Sequence, residues 1–222
     1  MSSEVRAAEE IVREQLASTP NACITCSFQA EDMAVLHMAR QLRPEIPVLF
    51  LETGYHFAET YAYRDRYVKE WNLTLVNLMP KLTVEEQETK FGKLFESEPT
   101  KCCNLRKVEP LFRGLAGYKV WLTGLRREQS PSRANLQQVE THVLPDGQAL
   151  LKVSPLAAWT NKDVWAYVKA NGIDPLPLYD QGYTSIGCEP CTAKPFDPDN
   201  PRSGRWGGNK LECGIHTFSE KK

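Results

Sequence analysis

Ala22-Cys23-Ile24-Thr25-Cys26-Ser27-Phe28-Gln29-Ala30-Glu31-Asp32 passes from a short apolar run into a polar turn, and beyond it Val35, Leu36, Ala39 and Leu42 recur at helical spacing through Asp32–Leu42. A strand, a turn and an amphipathic helix in that order form the opening half of a βαβ unit. Three further segments, Val48–Glu52, Leu73–Leu78 and Val120–Gly124, are rich in Val, Leu or Thr and too short for a core helix, so they predict strands. Phe57–Trp71 and Thr160–Ala170 predict helices, and residues 1–20 an N-terminal one. The alternation predicts an α/β fold, a parallel sheet with helices on both faces, whose ligands sit at the carboxyl ends of the strands.

Two of those strand ends are polar. Ser27–Asp32 leads into a helix whose first N–H groups and dipole suit a phosphate. Leu51-Glu52-Thr53-Gly54-Tyr55 ends the second strand at the same edge. Arg126, Arg127 and Arg133 follow the fourth strand in Thr123-Gly124-Leu125-Arg126-Arg127-Glu128-Gln129-Ser130-Pro131-Ser132-Arg133, which puts a basic patch there too. Cys23 and Cys26 have Cys-x-x-Cys spacing but lie in a strand three residues apart, so they face opposite sides and read as packing.

The 222 residues are 41% hydrophobic and 25% charged, enough for a normal core, and predict one domain over 1–222. From Asn171 the texture turns to Gly, Pro, Asp and Asn, a loop-rich segment that ends in a mobile tail over 200–222. A net charge of −1 gives no basic field, which argues against a dedicated nucleic-acid or anionic-membrane binder. No secretory h-region and no apolar run of about 18 residues is present, which predicts a cytoplasmic protein whose cysteines bind metal or react. There is no internal repeat, and oligomeric state is open, a homo-oligomer included.

Four of the seven cysteines form two tight pairs, Cys102-Cys103 and Cys188-x-x-Cys191, and Cys213 follows in Glu212-Cys213-Gly214-Ile215-His216. Adjacent cysteines on a helix point about 100° apart, which suits one tetrahedral zinc poorly. A four-iron cluster is wide enough for adjacent thiolates to reach different corners, so the pairing favours [4Fe–4S] over structural zinc. Lys107, four residues after Cys103, and Arg202 and Arg205 add positive charge around this set.

Cys102-Cys103-Asn104-Leu105-Arg106-Lys107, the Thr123–Arg133 stretch, Gly187-Cys188-Glu189-Pro190-Cys191 and Glu212-Cys213-Gly214-Ile215-His216 together resemble the adenylyl-sulfate reductases of the assimilatory phosphoadenylyl-sulfate/adenylyl-sulfate reductase family, from about Ala22 to Thr217. The resemblance implies a PP-loop-like, adenine-nucleotide-binding α/β fold and a [4Fe–4S] cluster on Cys102, Cys103, Cys188 and Cys191. It implies Cys213 as nucleophile, with Lys107, Arg133, Arg202, Arg205 and His216 holding the phosphosulfate. Ser27, Asp32, Leu51, Thr53 and Gly124 would line the nucleotide site. The loop Ser27–Asp32 is glycine-free here, where many relatives carry a Gly-containing version.

The implied activity is reduction of adenosine 5'-phosphosulfate to sulfite and AMP, in assimilatory sulfate reduction, through a Cys213 S-sulfonate that an external thioredoxin or glutaredoxin resolves. The alternative substrate is the 3'-phosphorylated nucleotide. Two rival classes are weaker. An ATP pyrophosphatase that thiolates RNA would need a Ser-Gly-Gly-x-Asp-Ser loop, and Ser27-Phe28-Gln29 stands in its place. A zinc-stabilised binding module would leave Cys213 and the basic residues without a task.

Overall fold

The computed structural model describes residues 3–208, 212, 214 and 215. In chain order it contains α1 (Ser3–Ser18), β1 (Ala22–Thr25), α2 (Ala30–Leu42), β2 (Pro47–Leu51), α3 (Ala58–Glu70), β3 (Thr74–Leu78), α4 (Val84–Phe91), α5 (Leu94–Ser97) and α6 (Pro99–Cys103). A π turn over Asn104–Val108 leads into α7 (Glu109–Leu115), then β4 (Val120–Leu122), β5 (Val139–Val143), β6 (Ala149–Val153) and α8 (Asn161–Ala170). Every predicted strand and helix is present, with ends shifted by a few residues.

The six strands form one sheet in the order β3-β2-β1-β4-β6-β5. All neighbours are parallel except β5 and β6, which pair antiparallel. The expectation of a parallel sheet is corrected at this edge: β5–β6 is an antiparallel hairpin, and neither of its strands is among the segments that the sequence predicts. The chain can reverse there because Gly147 takes φ +87 in the turn after Pro145-Asp146. The sheet order reverses between β1 and β4, and the carboxyl ends of those strands diverge into the crevice where open α/β sheets hold ligands.

Period-two alternation along β1 sorts its side chains. Ala22 and Ile24 join α1, α2, α3 and α8 in the larger core, where Ala8, Val12, Leu36, Tyr63, Val164 and Val168 pack. Cys23 points the other way, into a second core with Leu49, Trp121, Leu150 and the α7 residues Leu111 and Leu115. Cys26 belongs to the first core, so Cys23 and Cys26 do face opposite sides and both are buried. Among the described residues no helix is long and apolar enough to cross a membrane.

Candidate active site

The switch point is fastened by one carboxylate. Asp32, in the first turn of α2, accepts the Ser27 backbone N–H at 2.7 Å and the Ser27 hydroxyl, and through its other oxygen the Gly124 N–H at 3.2 Å. It thereby ties the end of β1 to the end of β4. Burial pushes this carboxyl up to about 6 against the opposing pull of the Ser27 and Gly124 hydrogen bonds. Gly124 is needed for room: a Cβ there would lie 2.4 Å from Asp32 Oδ1 and 2.8 Å from the Asp32 nitrogen. The glycine-free loop makes its turn through Phe28, whose φ of +61 is left-handed. Such a residue carries about 1–2 kcal/mol of strain, offset here by a fully buried ring packed edge-on to Phe50 at 5.8 Å.

Above these ends opens a cavity of about 700 Å³. Ser27, Asp32, Leu51 and Gly124 line it on the sheet side, and Lys107, Arg133, Arg202 and Arg205 line it as well. The loop-rich segment delivers two of the arginines. Glu189 N–H donates to the Tyr55 carbonyl at 2.7 Å, and isolated bridges join His56 to Cys188 and Thr192 to Arg205, so the chain runs from the end of β2 back to the cavity. Arg205 is 5% exposed and has no acidic partner among the described residues. It packs over the Trp206 ring at 4.5 Å and so close to Gly187 that a Cβ there would lie 2.1 Å from its Nη2.

A guanidinium this buried calls for an anion. Arg133 and Arg202 instead meet Glu212: Arg133 grips its two oxygens at 2.9 and 2.7 Å, and Arg202 Nη2 stands 3.8 Å away. Burial would raise the Glu212 carboxyl, but Arg133, followed by Arg202 and Ser132, outweighs that and holds it below its ordinary range. The first turn of α2 carries Glu31 and Asp32 at the cavity, and the Ala30 N–H is given to the Tyr179 hydroxyl at 3.2 Å. That turn is therefore a poor phosphate cradle, and the positive charge of the cavity gathers at the arginines.

A second, narrow pocket lies beside the first, lined by Cys102, Cys103, Cys188 and Cys191 with Tyr55, Phe95, Pro99, Arg106, Lys107, Pro190 and Trp206. Cys102 and Cys103 end α6 and both line this pocket, and the chain then widens into the π turn. Pro110 accounts for that turn: without an N–H it cannot bond the Arg106 carbonyl, and its ring would clash with that carbonyl in a regular helix. The turn also puts Lys107 on the walls of both pockets, though not by the α-helical spacing expected of it.

Cys188 Sγ donates to Thr53 Oγ1 at 3.4 Å and Gln87 Nε2 donates to Cys102 Sγ at 3.9 Å, orienting two of the four sulfurs. Among the described residues no group of three His, Cys, Asp or Glu side chains is drawn together to hold a metal ion. The four sulfurs instead surround a pocket. Their soft donor chemistry and the cations Arg106 and Lys107 beside them fit a group that fills the space between them and carries negative charge.

Several sequence expectations need adjustment. Thr53 is buried and lies behind the Cys188 sulfur, not on the large cavity. Of that patch Arg126 and Arg133 line the large cavity and Arg127 does not: Arg126 is paired there with Glu31 at 2.8 Å and Glu128 at 2.7 Å, and Arg127 donates to the Leu136 carbonyl. Arg202 and Arg205 line the large cavity and not the cysteine pocket. Arg106, not singled out from sequence, is the buried cation at the cysteines: it donates to the carbonyls of Thr53, Leu82 (3.3 Å) and Thr83 (3.4 Å) and to Gln87 Oε1 (3.1 Å).

His56 was also missed; burial lowers its imidazole to about 4, and its neutral ring donates Nε2–H to the Leu51 carbonyl at 2.8 Å. Its flanking Gly54-Tyr55 gave no periodic signal. Cys213 and His216 lie outside the described residues.

Comparison with known proteins agrees with this geometry. Residues 21–194 match the model of the phosphoadenosine phosphosulfate reductase domain. The adenosine 5'-phosphosulfate reductase of Mycolicibacterium smegmatis is 47% identical over 188 residues, 84% of this chain and 78% of that protein. The solved phosphoadenylyl-sulfate (PAPS) reductase of Candida auris, a phosphate complex, is similar with a TM-score of 0.72 at 29% identity, over 82% of this chain and 88% of that one. The FMN adenylyltransferase of Candida glabrata, TM-score 0.64 at 12% identity over 94% of this chain and 72% of that one, shares the fold alone. The matched region carries the switch point, Lys107 and both cysteine pairs, and the chain belongs to the phosphoadenosine phosphosulfate reductase domain family.

Proposed function

We propose that this protein reduces adenosine 5'-phosphosulfate to sulfite and AMP, as an oxidoreductase of assimilatory sulfate reduction. The observation that carries the reading is the basic wall: Lys107, Arg133, Arg202 and Arg205 gather on one cavity at the sheet's switch point, beside the segment that contains Cys213. The nucleoside end fits Ser27, Leu51 and Gly124, with Asp32 holding that edge in shape. The phosphosulfate fits the four cations, which neutralise an anion that would otherwise repel a thiolate.

Cys213 thiolate attacks the sulfur; the S–O bond to phosphate breaks, and its electron pair leaves with AMP. The S-sulfonate on Cys213 is then attacked at its cysteine sulfur by one thiolate of an external dithiol of the thioredoxin or glutaredoxin kind. Sulfite leaves with the S–S bonding pair, and the second thiol of the donor closes its disulfide and returns Cys213 to the thiol. The two electrons come from that dithiol. His216, three residues on, is the expected partner of the substrate anion and of the Cys213 thiolate.

Cys102, Cys103, Cys188 and Cys191 are the residues that would hold a [4Fe–4S] cluster, in reach of Lys107 on the shared wall. When bound, such a cluster supplies a fixed charge next to the substrate cations and a prop for the loop that carries Arg202 and Arg205.

The 3'-phosphorylated nucleotide is the second reading, since the Candida auris relative is named for it. The higher identity to proteins named for the unphosphorylated form favours the latter. Incubation with adenylyl sulfate without reductant is expected to add one sulfonate group at Cys213, read by peptide mass mapping, and Cys213→Ser to abolish turnover. Turnover that persists in Cys213→Ser, or an adduct at Cys23 or Cys26, would overturn the mechanism. A higher kcat/KM for the 3'-phosphorylated nucleotide would overturn the substrate.

A further inference from the structure

β5 closes the sheet on one side, with β6 as its strand neighbour. Ser154 N–H donates to the Gln138 carbonyl at 2.7 Å and Leu144 N–H to the Gln148 carbonyl at 2.8 Å, which fixes the phase of the ladder. Bonded and non-bonded pairs alternate in an antiparallel ladder. Glu140 and His142, opposite Lys152 and Leu150, therefore give their backbone groups to β6. Val139, Thr141 and Val143 turn theirs away from the sheet, and no described residue bonds them.

Such an edge is commonly blunted by a proline, a lysine or a bulge. β5 has none of these: its register with β6 is unbroken, and Val139 and Val143 are 38% and 57% exposed. The opposite edge, β3, runs at once into Met79-Pro80, and Arg113 Nη2 donates to the Met79 carbonyl at 2.6 Å.

β5 is also complementary to itself. Turned end for end about Thr141, it sets Thr141 against Thr141 and Val139 against Val143 as bonded pairs, the same residues whose N–H and C=O groups point outward. Glu140 then falls opposite His142 of the second copy as a non-bonded pair, the kind whose side chains approach closest. Each of these groups has an open valence. His142 is 2% exposed, beside Trp121 at 5.6 Å and Phe112 at 6.2 Å, and its Nε2 is buried with no hydrogen-bond partner. Glu140 accepts from Lys152 at 2.8 Å through Oε1, and its side chain is 33% exposed, which leaves Oε2 for a donor from outside. A shift of two residues sets Glu140 against Glu140, or His142 against His142, and loses the match.

We propose that β5 is a self-pairing edge: two copies of this chain join antiparallel through Val139–Val143, with a two-fold axis at Thr141, and the six strands of each continue as one sheet. The carboxyl ends of β1 and β4 in the two copies then face opposite ends of that sheet. None of Val139–Val143 lines either pocket, so the join covers neither.

The test is sedimentation equilibrium of the full chain, with far-UV circular dichroism as the check on folding. The parent is expected to sediment at twice the mass of one chain, with a Kd below about 100 µM. Thr141→Pro removes the N–H that crosses the axis in each copy and none that β6 uses, so it should weaken association about 10²-fold or more while the chain stays folded. Val139→Lys combined with Val143→Lys sets like charges face to face and should do the same, as should Val139→Glu combined with Val143→Glu. Mixing these two double variants should restore a dimer of one copy of each, because lysine then faces glutamate at both positions. Val76→Lys, at an exposed position of β3, should leave association unchanged.

A parent that sediments as one chain up to about 100 µM would overturn the proposal. So would a dimer that persists in folded Thr141→Pro or in the lysine variant, since the join would lie elsewhere. If Thr141→Pro does not fold, the charged variants decide: a mixture that stays monomeric overturns the register and with it the pairing. Dissociation by Val76→Lys would place the join at β3 and overturn it equally.

Discussion

The wide cavity and the narrow pocket share two walls, Lys107 and Trp206, and are otherwise built on opposite terms. The wide one is bounded by strand ends, hydroxyls and the cations Lys107, Arg126, Arg133, Arg202 and Arg205, and both Arg202 and Arg205 reach the Ser185 hydroxyl. Such a lining can be wetted, and a charged ligand can enter and leave it. The narrow one is bounded by thiols, proline rings and aromatic side chains, and its cation Arg106 is fixed by four acceptors and lies over the Tyr55 ring at 5.2 Å. Burial, and then the neighbouring thiols, push Cys191 up to about 11 and Cys102 upward, so without a metal these groups stay protonated and neutral. On the proposed function, a place for an exchanging anion and a place for a resident group stand side by side, with Lys107 on the wall of both.

The sharpest way to break that contrast is to remove a sulfur. Cys188→Ser or Cys103→Ser is expected to abolish a bound complement of about four irons and four labile sulfides per chain, and activity with it, whereas Cys23→Ala should leave the iron content unchanged. Metal and sulfide analysis after anaerobic purification checks this. One zinc per chain without labile sulfide would show that the narrow pocket serves a structural ion.

Next in size are the two buried arginines, which the comparison assigns to different tasks. Arg106→Ala leaves three carbonyls and Gln87 without their donor and should lower stability by about 2–4 kcal/mol and metal content with it. Arg205→Ala should keep the metal and lose about 10²-fold in kcat/KM, the typical effect of removing one preorganised charge stabiliser. Metal analysis beside steady-state kinetics separates them; equal metal loss in both variants would show that the pockets act as one.

Gly124→Ala addresses the wide cavity alone. The added methyl meets Asp32 Oδ1 and backbone, which cannot move aside like a flexible side chain, so the β1 and β4 ends are pushed apart. A loss of about 1–3 kcal/mol in chemical denaturation and about tenfold weaker AMP binding are expected, with metal content unchanged.

How much of this was legible beforehand follows from what each signal depends on. The strands β1 to β4 and the helices α2, α3 and α8 declare themselves because one buried face forces a local period, and both cysteine pairs do so by spacing. The β5–β6 hairpin did not, although Pro145-Asp146-Gly147 is a turn signal, because Val139-Glu140-Thr141-His142-Val143 lies on an edge and keeps polar residues. Arg106 was hidden for another reason: nothing in Asn104-Leu105-Arg106-Lys107 tells that both cations turn inward, and that depends on the π turn imposed by Pro110 four residues after Arg106. Glu212 reads as an ordinary acidic residue until the fold brings Ser132 and Arg133 to it across 80 and 79 positions. Thr53 was assigned to the nucleotide by the family resemblance, yet it lies past the end of β2 at Leu51, where the chain leaves the strand and its hydroxyl meets the Cys188 thiol.

The smallest expected effect concerns the fastening of the switch point, and it is a matter of pH. Asp32 holds its proton more tightly when folded, at about 6, than at its ordinary value of 3.8, because burial penalises the ionised form more than three hydrogen bonds favour it. The fold is therefore favoured by this group below 3.8, and that contribution is lost as pH rises through about 6. In Asp32→Asn the dependence is absent, although the amide cannot accept all three donors of Ser27 and Gly124 and the variant starts less stable at low pH. The stability gap between parent and Asp32→Asn should narrow by about 1–2 kcal/mol between pH 4 and pH 7 in urea denaturation. A gap that widens over the same interval would mean that the ionised carboxylate stabilises the join between β1 and β4, and that the wide cavity is fastened by charge as firmly as the narrow one.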